Sequence, residues 1–348
     1  MRATVFHGPR DMRVDHVPDA ALSASTDALV RVTHACVCGS DLWPYRGELL
    51  IYGPPGGRTG HEFIGIVEAV GADVQTIRPG DAVVAPFAFS DGTCEFCNEG
   101  LHTSCLNGGY WGGQRDGGQG EAVRVPMADG TLVALPPDVD LGDDDLAARI
   151  APLTDVVCTG HHAARSAGVS EGATVVVVGD GAVGLCGVLA AHRLGAERII
   201  IMGRHENRLA VARGFGATDE VHERGPAAVA RVHELTGGGA PHVLECVGTA
   251  AALDTAIAVA RPGGTVGQVG VPSEAVDLMD AYNRNIALTG GVAPARAYLQ
   301  ELVEAVLAGS FDPSPVLDLV VPLADIAEGY AAMDERRAIK ALVKVASA

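Results

Sequence analysis

The stretch Thr174-Val-Val-Val-Val-Gly179-Asp180-Gly181-Ala182-Val183-Gly184 constrains the fold more than any other part of the chain. An apolar, β-branched run ends at a glycine turn, and the apolar segment Leu185–Leu194 follows as a predicted helix. The three glycines allow, in order, a tight turn, close approach of the backbone to a pyrophosphate, and close packing of helix on strand. Free N–H groups at the start of the helix favour phosphate. The stretch therefore predicts a dinucleotide site.

A regular alternation of strands and helices surrounds this stretch, from about residue 152 to residue 290. It predicts a parallel sheet with helices on both faces, whose ligands bind beyond the carboxyl ends of the strands. The predicted strands are Thr174–Val178, Arg198–Met202, Glu220–His222, Val243–Val247, Thr265–Val269 and Ile286–Thr289. The other predicted helices are Glu206–Gly214, Ala227–Leu235 and Ala251–Ala260.

Residues 1–151 show a different pattern, in which strands rich in Val and Ile are separated by Gly, Pro and Asp. The predicted strands are Arg2–Phe6, Met12–Val17, Leu29–Ala35, Phe63–Val70 and Ala82–Ala85. Long loops at 36–60 and 87–120 are of the kind that is usually functional. The tail, residues 291–348, holds the predicted helices Tyr298–Leu307 and Leu323–Met333 and the predicted strand Ile339–Val345. We expect it to return to the first domain, which gives an α/β chain with one β-rich and one doubly wound domain.

Composition limits the classes of partner. Hydrophobic residues make up 48% of the 348 residues, enough for two sizeable cores. The formal net charge of -18 argues against nucleic acid, and no apolar run is long enough to span a bilayer. The first residues lack the apolar core of a signal peptide. We therefore expect a cytoplasmic protein with neither nucleic acid nor a membrane as its partner.

Potential metal ligands occur on separate loops. Cys38 in Cys38-Gly-Ser-Asp and His61 in Gly60-His-Glu-Phe offer a thiol and an imidazole, both good zinc donors, and Asp155 begins the segment that joins the two domains. A thiolate, a neutral imidazole and a carboxylate offset the charge of Zn²⁺ and leave a fourth position open, as catalytic zinc requires. A lone His-Glu pair is more often an ordinary feature, so this prediction rests on the stretches taken together.

Taken together, these stretches resemble the medium-chain dehydrogenase/reductase family in its zinc-dependent alcohol dehydrogenase branch. The resemblance covers nearly the whole chain and is carried by Cys38-Gly-Ser-Asp, Gly60-His61-Glu62-Phe-x-Gly65-x-Val67, a cysteine-rich segment, Asp155 with Thr159-Gly160, and the glycine loop. It implies a GroES-like β-rich catalytic domain with a structural-zinc lobe at about 88–108, and a Rossmann nucleotide-binding domain at 152–290. It also implies hydride transfer between a nicotinamide cofactor and a small-molecule alcohol or carbonyl compound, with zinc polarising the substrate oxygen.

The resemblance also implies roles for individual residues. Cys38, His61 and Asp155 match catalytic zinc ligands, and Glu62 a neighbour that can also ligate. Ser40 matches the hydroxyl that starts a proton relay, which many relatives complete with a histidine where this chain has Trp43. The expected cofactor contacts are Thr159 and Val271 beside the nicotinamide, Lys340 at a cofactor phosphate, and Gly179, Gly181, Ala182, Val183, Gly184, Val247 and Val269. The expected substrate pocket contains Ser40, Trp43, Phe87 and, with less support, Trp111, which suits apolar or medium-sized substrates.

The cysteine-rich segment resembles the family's structural-zinc lobe, which usually has four cysteines. Here the set is Asp91, Cys94, Cys97 and Cys105. A carboxylate can ligate zinc and keeps the formal charge of the site, so we expect the lobe to hold zinc. The alternative is an empty lobe with three free thiols. The remaining cysteines, Cys36, Cys158, Cys186 and Cys246, are predicted to be small core residues.

The preference between cofactors depends on the end of the second strand of the doubly wound domain. An NAD site usually has an acid there, but this chain has Gly203, followed by Arg204, His205 and Arg208 as candidate partners of a 2′-phosphate. The sequence therefore favours NADP over NAD. The alternative is an ordinary solvated helix start, where Glu206 weakens the positive patch.

Three functions remain open at this point. The first is a zinc-dependent, NADP-preferring alcohol dehydrogenase or carbonyl reductase. The second is an NAD-linked polyol or amino-alcohol dehydrogenase of the same branch. The third is a non-catalytic, cofactor-binding regulatory protein, against which Cys38, His61 and Asp155 argue, because a mere binder needs no open zinc site. The resemblance implies a homodimer or homotetramer.

Overall fold

A computed structural model describes residues 1–48, 54–113 and 116–345, so parts of the two long predicted loops lie outside the described residues. The chain divides into two compact units. The first contains residues 1–155 and the chain from residue 294 onward, and the second contains residues 156–293.

The N-terminal part of the first unit is rich in short strands. Its elements are β1 (Arg2–Gly8), β2 (Asp11–His16), β3 (Ala28–Cys36), α1 (Leu42–Arg46), β4 (Phe63–Val70), β5 (Ala82–Ala85), β6 (Ala88–Phe89), α2 (Glu95–Asn98), β7 (Gly109–Tyr110), β8 (Ala122–Val125), α3 (Ala128–Thr131), β9 (Val133–Ala134) and α4 (Asp144–Ile150). The 3₁₀ turn Ala151–Thr154 leads to Asp155, where this part ends.

The second unit alternates helix and strand throughout. Its elements are α5 (Val156–Ser166), β10 (Thr174–Val178), α6 (Ala182–Arg193), β11 (Arg198–Met202), α7 (Glu206–Gly214), β12 (Asp219–Val221), α8 (Gly225–Thr236), β13 (Ala240–Glu245), α9 (Ala250–Val259), β14 (Ala260–Gln268), α10 (Met279–Asn283) and β15 (Ala287–Gly290). The strands form a parallel sheet in the order β12-β11-β10-β13-β14-β15, the order of a Rossmann sheet.

The register of the parallel sheet determines which loops lie side by side. Val178 at the end of β10 is paired with Met202 on β11 and with Glu245 on β13. The loops that begin at Gly179, Gly203 and Cys246 therefore leave the same edge of the sheet as neighbours. Gly184 allows the helix to begin close to β10, because a Cβ there would lie only 2.0 Å from the Gly179 carbonyl oxygen.

The C-terminal tail completes the first unit. It contains α11 (Ala295–Leu307), β16 (Leu319–Pro322), α12 (Ile326–Asp334) and β17 (Ala341–Lys344). β17 pairs antiparallel with β3, with Leu342 opposite Cys36, in a sheet of order β16-β17-β3-β4-β5-β9 in which β8 also pairs with β3. Phe6, Phe63 and Tyr330 are among the largest side chains buried in this unit.

Two local features differ from the sequence-based expectation. β14 begins at Ala260 and runs through Arg261-Pro-Gly-Gly, five residues before the predicted start of this strand at Thr265, and the pairing with β13 shifts register there. α5 was not predicted, because Gly160 and the β-branched start of this segment are poor helix signals. Among the described residues, no helix has the length and apolar character that a membrane span requires.

Candidate metal and dinucleotide sites

Four side chains of the first unit converge on one buried point. Cys38, His61, Glu62 and Asp155 each offer one ligand atom, and these atoms all lie within 4.8 Å of one another. The Cys38 thiol donates to Asp155 Oδ2 at 3.3 Å, and His61 Nε2 lies 3.3 Å from the same oxygen. Ser40 Oγ lies 3.4 Å from His61 Nε2. The structure thus brings together all the catalytic-site residues that the sequence singled out.

Asp41 holds this arrangement in place, although the sequence argument gave it no role. Its Oδ1 lies 3.3 Å from His61 Nδ1, and its Oδ2 accepts the backbone N–H of Cys38 at 2.9 Å. A carboxylate on Nδ1 fixes the ring so that Nε2 faces the other ligands. The side chain of Gln119 ties Asp41 to the surrounding loops, through contacts with Asp41 Oδ2, Thr59 and Tyr330.

The pKa shifts of Cys38 and His61 indicate an excess of negative charge in the cluster. Burial, followed by the charges of Asp155 and Glu62, raises the pKa of Cys38 to about 12. Burial alone would lower the pKa of His61, but Asp41 and Asp155 raise it well above its ordinary value. A divalent cation would relieve both effects, because it favours the thiolate and takes the place of the ring proton. The sulfur, nitrogen and oxygen donors therefore fit zinc.

Lys340 has a buried partner in its own unit. Its side chain is fully buried, and its Nζ lies 2.6 Å from Glu62 Oε2 and donates to Glu62 Oε1 at 2.8 Å and to the Val37 carbonyl at 3.1 Å. Lys340 therefore neutralises Glu62, so that the thiolate of Cys38 and the carboxylate of Asp155 remain to offset a dication. The expected contact of Lys340 with a cofactor phosphate stays a prediction.

A second cluster lies near the start of α2. One ligand atom each from Asp91, Cys94, Cys97 and Cys105 lies within 4.8 Å of the others. Asp91 Oδ1 accepts the backbone N–H groups of Thr93 and Cys94 at 2.8 and 2.9 Å. Burial opposes ionisation of Asp91, but these donors hold its pKa well below the usual range, so the residue is an anion. Burial raises the pKa of Cys97 to about 12. The set offers the closed group of four ligands that structural zinc uses.

The glycine loop of the second unit has the form of a phosphate site. α6 begins at Ala182, and Val183 and Gly184 complete its first turn, where N–H groups lack helical partners. A Cβ at Gly181 would meet no atom within 4 Å, so the backbone there is open to approach. Val247 and Val271 expose about half of their side chains, and Val269 is half-buried, as is Thr159 on α5.

Glu245 positions the loop after β13 and was missed by the sequence argument. Its Oε1 accepts the backbone N–H groups of Val247 and Gly248, each at 2.8 Å. The side chain is fully buried, and burial raises its pKa. A Glu at the end of an apolar strand, followed by a glycine three residues later, is the signal that could have identified it.

A carboxylate lies among the residues expected around a 2′-phosphate. Gly203, Arg204, His205 and Arg208 follow β11, and Asp180 of the glycine loop lies against them. A Cβ at Gly203 would come within 2.6 Å of Asp180 Cβ. A carboxylate introduced at residue 203 would therefore lie against that of Asp180.

The expected pocket aromatics differ in their surroundings. Trp111 is a core residue: its ring packs edge-on against Phe63 and Phe89, and its Nε1 donates to the Pro86 carbonyl at 2.9 Å. Trp111 therefore belongs to the core of the first unit and not to the substrate pocket, where the sequence had placed it. Phe87 is buried and stacks on Tyr110, with centroids 6.4 Å apart, whereas Trp43 on α1 is half-buried. Of the cysteines predicted as core residues, Cys36, Cys158 and Cys186 are buried and Cys246 is partly exposed.

Comparison with known proteins agrees with this arrangement. Residues 24–137 match the family described as alcohol dehydrogenase GroES-like domain, and residues 182–308 match the family described as zinc-binding dehydrogenase. The chain is 33% identical to a zinc-type alcohol dehydrogenase B of Aspergillus flavus, over 99% of this chain and 81% of the relative. It is 34% identical to a probable zinc-binding alcohol dehydrogenase of Mycobacterium tuberculosis, over 95% and 85% of the two chains. It is also similar to the solved alcohol dehydrogenase of Thermus sp. ATN1, with a TM-score of 0.90, 34% identity and coverage of 99% and 100%.

Proposed function

Because the chain belongs to the zinc-dependent alcohol dehydrogenase branch of the medium-chain dehydrogenase/reductase family, we propose that it transfers a hydride between a nicotinamide dinucleotide and an alcohol, aldehyde or ketone. The observation that supports this most directly is the buried convergence of Cys38, His61 and Asp155. Three ligands of these types leave a fourth position for a substrate oxygen. Glu62 is fully buried, forms an ion pair with Lys340 and serves as a neighbouring carboxylate of the site.

Each residue of the site has a distinct task in this proposal. Zinc, when bound, supplies Lewis-acid polarisation of the substrate oxygen, and the nicotinamide supplies the two-electron chemistry. Asp41 keeps His61 Nε2 directed at the other ligands. Ser40, whose Oγ lies beside His61, relays the proton that leaves the substrate hydroxyl: its Oγ accepts that proton while its own hydroxyl proton passes on along the relay. Burial of Cys38, His61 and Asp155 keeps bulk water away from the reacting oxygen.

The second unit binds the dinucleotide in this proposal. The open backbone at Gly181 and the first turn of α6 receive the pyrophosphate. Thr159, Val247, Val269 and Val271 lie beside the nicotinamide half. Trp43 and Phe87 contribute to a partly apolar substrate pocket. The sequence favoured NADP through Gly203, but the position of Asp180 supports the NAD-linked alternative.

Initial rates test this function. We expect the oxidation of NADH or NADPH, with a panel of aldehydes and ketones, to fall at least tenfold after treatment with a zinc chelator and to recover when zinc is added back. Turnover that persists in protein shown to be free of zinc would contradict the mechanism. Tight dinucleotide binding and full zinc content without any turnover would favour the non-catalytic alternative.

We further propose that Asp91, Cys94, Cys97 and Cys105 bind structural zinc. The Asp91→Ala variant is expected to lose one zinc per chain and to unfold at least about 5 °C lower, because a closed four-ligand site contributes directly to folding. Metal analysis and thermal unfolding measure both effects. Glu99→Ala, which removes an exposed carboxylate from the same segment, is the control. One zinc per chain in both variants would indicate an empty lobe with three free thiols, and two in both would show that Asp91 is not a ligand.

For location and assembly we propose a cytoplasmic homodimer or homotetramer. None of the eight cysteines, all of which lie among the described residues, forms a disulfide, which fits a reducing compartment. Tyr282 and Val292 of the second unit expose large apolar surfaces that suit a subunit contact. Sedimentation velocity of the purified chain distinguishes a dimer from a tetramer.

A further inference from the structure

The first variable position of the glycine loop carries a charged residue that the function described so far does not use. Asp180 lies between Gly179 and Gly181 and is only 8% exposed. Its Oδ2 accepts the backbone N–H groups of Arg204 and His205 at 2.9 and 3.2 Å and lies 2.8 Å from His205 Nδ1. Its Oδ1 lies 3.8 Å from Arg208 Nη1.

This carboxylate occupies the place of the acid that is missing from the second strand of the sheet. Val178 and Met202 are paired in register, so the loops after β10 and β11 begin side by side. A Cβ built on Gly203 would lie 2.6 Å from Asp180 Cβ and 2.9 Å from its Oδ2. A carboxylate attached at residue 203 would therefore fall in the volume that the Asp180 side chain fills. Asp180 therefore places a carboxylate, from the neighbouring loop, where an acidic side chain at residue 203 would lie.

Apart from the exposed Arg204 guanidinium, the groups near the start of α7 that could bind a 2′-phosphate are in contact with Asp180. Two backbone N–H groups before α7 and the imidazole of His205 contact its Oδ2, and the Arg208 guanidinium lies near its Oδ1. Burial opposes ionisation, but these donors lower the pKa of Asp180, so the residue is an anion at neutral pH. A phosphate dianion brought here would meet a negative charge and compete for donors in use.

We propose that Asp180 is the residue that selects the cofactor, and that it selects NAD over NADP. This inference rests on the proposed function, in which the glycine loop binds a dinucleotide. Asp180 Oδ1, beyond hydrogen-bonding distance of Arg208 Nη1, keeps lone pairs that accept hydrogen bonds from the ribose hydroxyls. The preference that the sequence suggested from Gly203 is thereby reversed, because the acid is supplied 23 positions earlier in the chain.

Dissociation constants of the zinc-loaded protein test this assignment without relying on turnover. Titrations followed by nicotinamide fluorescence are expected to show NADH binding at least about 100-fold tighter than NADPH. Asp180→Asn retains an oxygen for the two backbone N–H groups and removes the charge, and we expect it to reduce this ratio at least tenfold. Asp254→Asn, which removes an exposed carboxylate of α9 in the same unit, is expected to leave the ratio unchanged.

Competition by 5′-AMP and by adenosine 2′,5′-bisphosphate provides a second readout confined to the adenosine half. Wild-type protein is expected to prefer 5′-AMP, and Asp180→Asn to lose most of that preference. Wild-type preference for NADPH, or an unchanged ratio in a folded Asp180→Asn variant, would overturn the assignment and leave the proposed function intact. Failure of the wild type to bind either dinucleotide would overturn both. If the variant does not fold, a wild-type preference for NADPH would still overturn the assignment.

Discussion

Replacing Cys38 with alanine is expected to lower turnover about a thousandfold or more and to remove one zinc per chain, while leaving dinucleotide binding intact. The thiol lies within 4.8 Å of the donor atoms of His61 and Asp155, and among the described residues no other sulfur belongs to that cluster. Lewis-acid polarisation contributes several kcal/mol to such reactions, and about 4 kcal/mol corresponds to a thousandfold in rate. The dinucleotide loop belongs to the other unit of the chain, so NADH binding should not change.

Metal analysis, steady-state rates and NADH titration measure the three parts of this prediction. Cys186→Ala is the matched control, because it removes a buried thiol from α6 and no metal ligand. We expect full zinc content and near wild-type turnover in that variant. If Cys38→Ala keeps its zinc and its rate, the buried cluster is not the catalytic metal site. If Cys38→Ala also loses NADH binding, the substitution has disturbed the structure beyond the catalytic metal site.

Local pattern was enough to predict much of the second unit. The predicted bounds are correct for the strands Thr174–Val178 and Arg198–Met202 and for the helix Glu206–Gly214. A strand buried on both faces must be apolar along its length, and helix and turn signals mark where these segments end. α5 was missed because Gly160 weakens helix propensity. A glycine is needed at residue 160 because α5 packs closely on α6 there: a Cβ would lie 2.5 Å from the Gly187 nitrogen.

In the candidate sites, likewise, some residues could be predicted from the sequence and others could not. Spacing and resemblance identified Cys38, His61 and Asp155, whose residue types carry the chemistry. The residues that position these ligands or change the charge around the candidate sites could not be identified from spacing. Asp180 meets Arg204 only because β10 and β11 are paired in register, and Lys340 meets Glu62 only because β17 joins β3. Such partners depend on strand pairing across long stretches of sequence, which composition and local periodicity do not encode.

Lys340 and Lys344 are the only lysines in the sequence, and their environments predict very different effects of substitution. Lys340 and its partner Glu62 are both fully buried, whereas Lys344 pairs with Asp144 at the surface. Removing one member of a buried pair leaves an uncompensated charge and costs about 3–5 kcal/mol. An exposed pair contributes about 0–1 kcal/mol. We therefore expect Lys340→Met to lower the thermal midpoint of the first unit by about 10 °C, and Lys344→Met by about 2 °C or less.

The double variant Glu62→Gln with Lys340→Met identifies the cause of that loss. If the loss comes from the unpaired Glu62 carboxylate rather than from missing packing, removing its charge should restore at least half of the lost midpoint. Thermal unfolding is best measured with a chelator present, because a bound dication would supply part of the positive charge that Lys340 no longer provides. Equal small shifts for Lys340→Met and Lys344→Met would contradict the buried pair. An unrestored double variant would show that the Lys340 side chain stabilises the unit through packing, and that the charge of Glu62 is balanced by other groups.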